Sequence, residues 1–256
     1  METVTSPDGT TIAFDQLGSG PPLVLVAGAA CDRGQDAPIA DALARSFTVI
    51  NYDRRGRGDS SDTAPYAVER EIEDLAVLLD AAGGTATVLG LSSGGALAVL
   101  AAAAGLPISR LVLWEVPYRL DAEAQRAVKD YNDGLEALLA EGRRGDALAL
   151  FMGMVGLPEE AIAGARRSPY WSTGEALAPT LAHDAAVMGD GSLPLERLAA
   201  VTAPTLVLAG GGGPAWFRAS AEAAAAAIPG ATVRVLEGQT HDVAPEVLAR
   251  AAAAAS

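Results

Sequence analysis

Ser92 sits at the centre of Gly90-Leu91-Ser92-Ser93-Gly94, between the apolar run Ala86-Thr87-Val88-Leu89 and the continuous Gly95-Ala96-Leu97-Ala98-Val99-Leu100. A serine placed where a buried strand turns sharply into a buried helix can act as a nucleophile. The turn holds the serine in a strained conformation with its hydroxyl at the strand's tip, and the flanking glycines let strand and helix approach without Cβ clashes. The helix N-terminus supplies backbone N–H groups beside the hydroxyl, ready to receive negative charge. With 28 glycines in 256 residues, such a pentapeptide arises by chance in roughly one chain in six, so its strand-to-helix context carries the argument.

A serine nucleophile needs a base. Of the two histidines, His241 lies in Leu236-Glu237-Gly238-Gln239-Thr240-His241-Asp242, between a strand-like Thr232–Leu236 and a terminal Pro245–Ala255 helix. His183 falls in a helical region and reads as a packed or surface residue before a catalytic one. Taken together with Pro22–Ala29 and with Asn51-Tyr52-Asp53-Arg54-Arg55-Gly56-Arg57-Gly58-Asp59-Ser60, these motifs resemble the α/β-hydrolase superfamily from end to end. The resemblance implies that Ser92 is the elbow nucleophile, His241 the base before the last helix, Pro22–Ala29 the third strand with its oxyanion turn, and Asn51–Ser60 the loop after the fourth strand.

The chain departs from that pattern twice. Family members often carry His-Gly at the oxyanion turn, where this chain has Ala27-Gly28. Backbone N–H groups do the work there, and the two donors are assigned to Ala29 and Ser93. The second departure concerns the acid. After the strand Pro204–Leu208 the family usually places an aspartate, but here Ala209 is followed by Gly210-Gly211-Gly212-Gly213-Pro214, read as a flexible turn that leaves room beside the pocket. One strand earlier, Arg110–Trp114 ends in Glu115, and some relatives, including a subset of the haloalkane dehalogenases, take their acid from the end of that strand. Glu115 would then hold Nδ1–H of His241; the alternative is that it only anchors the following loop. Asp242 would struggle to reach its own neighbour's ring, and Asp184 and Asp190 are outside candidates.

Strands alternating with helices argue an α/β fold, with a mostly parallel central sheet covered by helices on both faces and an inserted helical cap. Strands are expected at Thr3–Ser6, Thr11–Asp15, Leu23–Ala27 and Phe47–Tyr52, with a short helix near Pro38–Ala44. In the helix Val68–Leu79, Val68, Ile72, Leu75, Ala76 and Leu79 form one stripe, with Glu69, Arg70, Glu73 and Asp74 off it. The helix after Ser92 is apolar all round and should be the central one.

From Pro117 the pattern changes to helices without strands, as in Ala122–Glu141, Asp146–Met154 and Pro158–Arg167. The domains are therefore drawn as a core of 1–117 and 200–256 with a lid over the site at 118–199, a segment too long for a connecting loop. Cys31, Met152 and Trp171 are the candidate substrate-binding residues, with Phe151, Met154 and Tyr170 as further cavity candidates. Ordinary packing explains the cap residues equally well, and Cys31 reads first as a small buried hydrophobe.

The chain is half hydrophobic and carries a net charge of −14, which argues against nucleic acid as a partner. Arg143-Arg144 and Arg166-Arg167 read as solvated helix ends before they read as an anion site. The start Met1–Gly9 lacks a basic-then-apolar leader, no membrane span is apparent, and a single cysteine forbids an internal disulfide, so the cytoplasm is expected. No metal or cofactor motif is present, the expected partner is a small-molecule substrate, and nothing fixes an oligomeric state. The function expected is a serine hydrolase of an ester, lactone or thioester. A lyase or cyclase of natural-product tailoring, or a non-catalytic binding protein, are the alternatives on the same fold.

Overall fold

A computed structural model describes residues 1–254. Its sheet holds eight strands among those residues: β1 (Glu2–Thr5), β2 (Thr11–Leu17), β3 (Pro22–Val26), β4 (Thr48–Tyr52), β5 (Ala86–Leu91), β6 (Ile108–Trp114), β7 (Thr205–Gly210) and β8 (Thr232–Leu236). Their spatial order is β1-β2-β4-β3-β5-β6-β7-β8, with β2 antiparallel to both its neighbours and every other pairing parallel. Between them run α1 (Ala37–Leu43), α2 (Val68–Ala81) and α3 (Ser93–Ala103), followed by α4 (Ala122–Ala140), α5 (Arg144–Met154), α6 (Glu159–Ala165), α7 (Trp171–Leu177), α8 (Leu181–Met188) and α9 (Leu195–Ala199). The chain closes with α10 (Ala215–Ala227) and α11 (Pro245–Ala253).

Strand periodicity divides the core between the two faces of the sheet. Val24, Val26, Val88, Leu111, Leu113 and Val207 point to one face, where they pack with Leu75, Leu78 and the apolar residues of α3. Leu23, Leu25, Leu89, Val112, Trp114, Leu206 and Leu208 point to the other, against residues of α1 and α11. Alternate residues of each strand thus feed two cores, the arrangement that buries a parallel sheet on both sides. As its composition requires, α3 is central, with nine of its residues buried. Helices α4 to α9 intervene between β6 and β7 and carry a third cluster of their own, centred on Leu135, Ala147, Leu148, Ala178 and Leu181. No described helix is long and apolar enough to cross a membrane.

The elements differ from the sequence reading mainly at their ends. β2 runs on to Leu17, α5 begins at Arg144, and α6 is shorter than expected, with Pro158 as its N-cap. The Ala255 end expected for the last helix lies outside the described residues. Asp74, expected off the buried stripe of α2, is buried instead, and so is Glu71, because arginines from the loop after β4 reach across to both.

Candidate active site

Ser92 links β5 to α3 with φ 51° and ψ −124°, a conformation that only glycine adopts without strain. The glycines around it are sterically required. A Cβ on Gly90 would stand 2.5 Å from Gly95 Cα, and one on Gly94 would collide with the carbonyls of Val26 and Ala27. Ser92 N–H donates to Trp114 O at 2.8 Å, and the Trp114 indole N–H donates to His241 O at 3.0 Å, so one buried residue of β6 ties down both candidate groups. No hydrogen bond joins Ser92 Oγ to His241 Nε2 among the described residues, a contact that in unliganded enzymes often tightens only on binding.

Glu115 follows Trp114 directly and is wholly buried, with φ 43°. Its Oε2 lies 2.7 Å from Nδ1 of His241, and its Oε1 accepts the Gly210 N–H at 2.8 Å. The tetraglycine that stands where an aspartate is usual is not a loose turn. Gly210 belongs to β7, Gly211 N–H donates to Leu236 O, and Gly212 N–H donates to Gln239 O. A side chain at Gly210 would collide with Gln239 O and crowd Glu115 Oε1 at 3.1 Å, so the missing carboxylate is also the space that Glu115 fills. On its other side the His241 ring, 44% exposed, stacks on Phe217 at 4.7 Å between centroids. Phe217 stacks on Trp216 at 3.7 Å, and the Arg119 guanidinium lies 3.7 Å over Trp216.

The turn expected to hold the oxyanion is built around Gly28, whose missing Cβ would sit 3.3 Å from Ser92 Cβ. No loop, turn or side-chain bond among the described residues occupies the N–H of Ala29 or of Ser93. Ala30, next along, has φ 54°.

The loop after β4 supplies residues that the sequence reading did not place. Arg54 grips Glu71 with two bonds of 2.7 and 2.8 Å and donates to Asp184 Oδ1 at 2.7 Å. Arg57 donates to Asp184 Oδ2 at 2.8 Å and to the carbonyls of Gly28 and Cys31 at 2.6 and 3.0 Å. Arg55 pairs with Asp74 and Asp8. Burial alone would raise the carboxyls of Glu71 and Asp184, and the neighbouring guanidiniums override it, holding both below the ordinary range. Arginine pairs in an acidic chain were the available signal, but their partners lie far away in sequence.

Asp184 therefore meets Arg54, Arg57 and Ser93 Oγ rather than His241, Asp190 is an exposed turn residue bonded to Ser192 N, and Asp242 is exposed. His183 is buried, stacked on Tyr66 at 3.8 Å, and burial lowers its pKa. Cys31 is half-buried, and burial pushes its thiol up to about 12. Met152 and Trp171 are half-buried and pack in the cluster that also takes in Ala29 and Ala30, whereas Tyr170 is 80% exposed. Arg143 and Arg166 are both spent on Asp146 at the surface. Among the described residues no group of three His, Cys, Asp or Glu is placed to hold a metal ion.

The pattern of the Alpha/beta hydrolase family matches residues 23–254. Among solved structures, an alpha/beta hydrolase from Sphaerobacter thermophilus DSM 20745 is 53% identical with a TM-score of 0.90, covering 99% of each chain. A hydrolase from Pseudomonas aeruginosa PA01 is 28% identical with a TM-score of 0.75 over 99% of this chain and 96% of that one. A malate-bound thermophilic esterase from Thermogutta terrifontis is 25% identical with a TM-score of 0.74 over 98% of this chain and 97% of that one.

Proposed function

Because the chain belongs to the alpha/beta hydrolase family, we propose that it is a serine hydrolase that cleaves an ester, lactone or thioester of a small to medium apolar substrate through an acyl-enzyme. The observation that carries this reading is the 2.7 Å bond between His241 Nδ1 and the buried Glu115 carboxylate. An Nδ1–H donated to Glu115 leaves the Nε2 lone pair free to take a proton, and the carboxylate stabilises the imidazolium that results. Ser92 Oγ attacks the carbonyl carbon as its proton passes to Nε2, and the N–H groups of Ala29 and Ser93 receive the oxyanion. The intermediate collapses by expelling the alcohol or thiol, which takes the proton from Nε2. Water then attacks the acyl-enzyme, giving its proton to the same nitrogen, and Ser92 leaves with that proton as the acid is released.

Helices α4 to α9 act in this reading as the lid, with Met152, Trp171 and Cys31 facing the acyl group. The shared cluster of Met152 and Trp171 with Ala29 and Ala30 supports an apolar pocket against the oxyanion turn. The esterase from Thermogutta terrifontis supports ester cleavage as the class.

Intact-mass measurement after exposure to a fluorophosphonate tests the proposal on wild type and Ser92→Ala together. One adduct, absent from the variant, is expected. No adduct on folded wild-type protein would overturn the acyl-enzyme reading in favour of a lyase, cyclase or binding role.

A further inference from the structure

We infer that Asp184, on α8, is a positioning residue for the oxyanion hole, aligning both of its donors at once: Ser93 through the hydroxyl, and Ala29 through Arg57. This rests on the serine-hydrolase reading above. The Asp184 carboxylate is buried and divides its oxygens. Oδ1 accepts from Ser93 Oγ at 2.9 Å and from Arg54 Nη1 at 2.7 Å, while Oδ2 accepts from Arg57 Nη2 at 2.8 Å. Arg57 carries the second effect onward, since its Nη1 donates to Gly28 O at 2.6 Å and to Cys31 O at 3.0 Å.

Gly28 O belongs to the same peptide unit as the Ala29 N–H. In a planar trans peptide the carbonyl and the N–H point in opposite directions, so a guanidinium that fixes the one aims the other. The bond to Cys31 O clamps the far side of the turn, across Ala30 with its positive φ. Arg54 adds a weaker bond, 3.3 Å, to Ala27 O. The turn thus has its carbonyls engaged by arginines, and those arginines take their orientation from Asp184 and Glu71. The cluster of two guanidiniums and two carboxylates is neutral as a set, so Arg57 holds the turn without leaving an unpaired buried charge beside Ser92. Ser93, whose own N–H is the second donor, is held at the side chain by the same carboxylate. Donors need alignment to the position of the oxyanion rather than of the ground-state carbonyl, so loosening them should cost the transition state more than substrate binding.

The test uses the full-length protein with a nitrophenyl ester, and variants Asp184→Asn, Ser93→Ala and Asp184→Ala with and without Ser93→Ala. Two inhibitors accompany it: a trifluoromethyl ketone, which Ser92 converts to a hemiketal oxyanion, and the matching secondary alcohol, which fills the pocket without forming one. Asp184→Asn should lower kcat about 10- to 100-fold with KM within about threefold, and should weaken the ketone by the same factor as kcat. Alcohol affinity should hold. Ser93→Ala should give a smaller loss, on the order of 3- to 10-fold, that disappears in the Asp184→Ala background, because alanine leaves the hydroxyl no acceptor there, whereas asparagine keeps an amide oxygen for it. An unchanged kcat, a loss shared equally by the alcohol, or additive losses would each overturn the inference. If Asp184→Asn does not fold, Ser93→Ala decides, since equal kcat and ketone affinity in that variant would refute it. A wild type that neither turns over the ester nor binds the ketone covalently would overturn the hydrolase reading beneath it, an outcome distinct from an active wild type with an indifferent Asp184→Asn.

Discussion

Replacing Glu115 by glutamine exchanges one oxygen for an NH2 group in a side chain that is wholly buried, so shape is kept and only the hydrogen-bond inventory changes. In the native protein both oxygens are acceptors, one for the Gly210 N–H and one for Nδ1 of His241. Glutamine has one acceptor to offer. If its carbonyl stays on Gly210, its NH2 faces Nδ1 and forces the imidazole into the tautomer with the proton on Nε2, which can no longer accept a proton from Ser92. If it flips, its NH2 meets the Gly210 N–H donor to donor, and a buried N–H is left unpaired at a cost of about 1–3 kcal/mol. Even then the negative charge that stabilises the imidazolium is gone. The corresponding change in a serine triad lowers kcat by about 10⁴-fold, equivalent to about 5 kcal/mol of barrier. Initial rates on a nitrophenyl ester, with circular dichroism to confirm folding, measure it. Glu115→Asp, which keeps the charge but loses one methylene of reach, should fall between the two. A Glu115→Gln enzyme within tenfold of wild type would refute the assignment.

Other perturbations have equally definite outcomes. Ser92→Gly should abolish ester turnover and raise Tm above that of Ser92→Ala by about 2–4 °C, because glycine relieves the strain of φ 51° that alanine retains; equal melting temperatures would show that the elbow stores no strain. Asp36 is buried with an unpartnered oxygen, and burial raises its carboxyl to about 7 from the ordinary 3.8. Between those values the unfolded chain ionises while the native state holds the proton, so its contribution is complete below about pH 4 and is lost as pH rises through 7. Asp36→Asn should therefore stabilise the protein at pH 8 by on the order of 2–4 kcal/mol and leave pH 3.5 unchanged, read by urea unfolding at both. The Cys31 thiol, pushed up to about 12 by burial first and Asp36 second, should alkylate with iodoacetamide at pH 7.5 on the order of 10³-fold more slowly than an exposed cysteine. Mass spectra taken over time would expose a fast reaction.

The sheet and its central helix were legible because local pattern and tertiary role coincide there. An all-apolar stretch after Gly90-Leu91-Ser92 can only be a buried helix, and alternate residues of the strands feed opposite faces. Glu115 was pointed to by its place at the end of an apolar strand together with the resemblance to relatives that take their acid there, and the structure sets its carboxylate 2.7 Å from Nδ1 of His241. The arginine network was not legible. Arg54 and Asp184 are 130 residues apart, and on the helical period Asp74 falls among solvated charges until a buried guanidinium claims it. The tetraglycine misled for a related reason. Glycines read as freedom in a sequence, whereas Gly210 marks the place where the backbones of β7 and the β8–α11 loop come too close for a side chain. The stacking of Phe217 on His241 had no signal at all, because its helix is an alanine run whose orientation only packing fixes.

The two departures from the family pattern leave different traces in the structure. At the acid position, β6 and β7 are neighbouring parallel strands, with Glu115 N–H donating to Leu208 O. Adjacent strands lie about 4.8 Å apart, a gap that a glutamate with one more methylene than aspartate spans when its backbone turns at positive φ and the facing residue is glycine. The Gly210 N–H then donates to the Glu115 carboxylate, so β7 supplies a donor to it. At the turn after β3, Ala27 carries no imidazole, and Arg57 from the loop after β4 donates to the carbonyls of Gly28 and Cys31. At the first place Gly210 leaves room for the longer Glu115 side chain, and at the second an arginine binds backbone carbonyls of the turn. Glu115 with Gly210 and Arg57 with Asp184 are thus paired from distant parts of the sequence, and removing Asp184 would leave the buried Arg57 short of a carboxylate partner while a side chain at Gly210 would crowd Glu115.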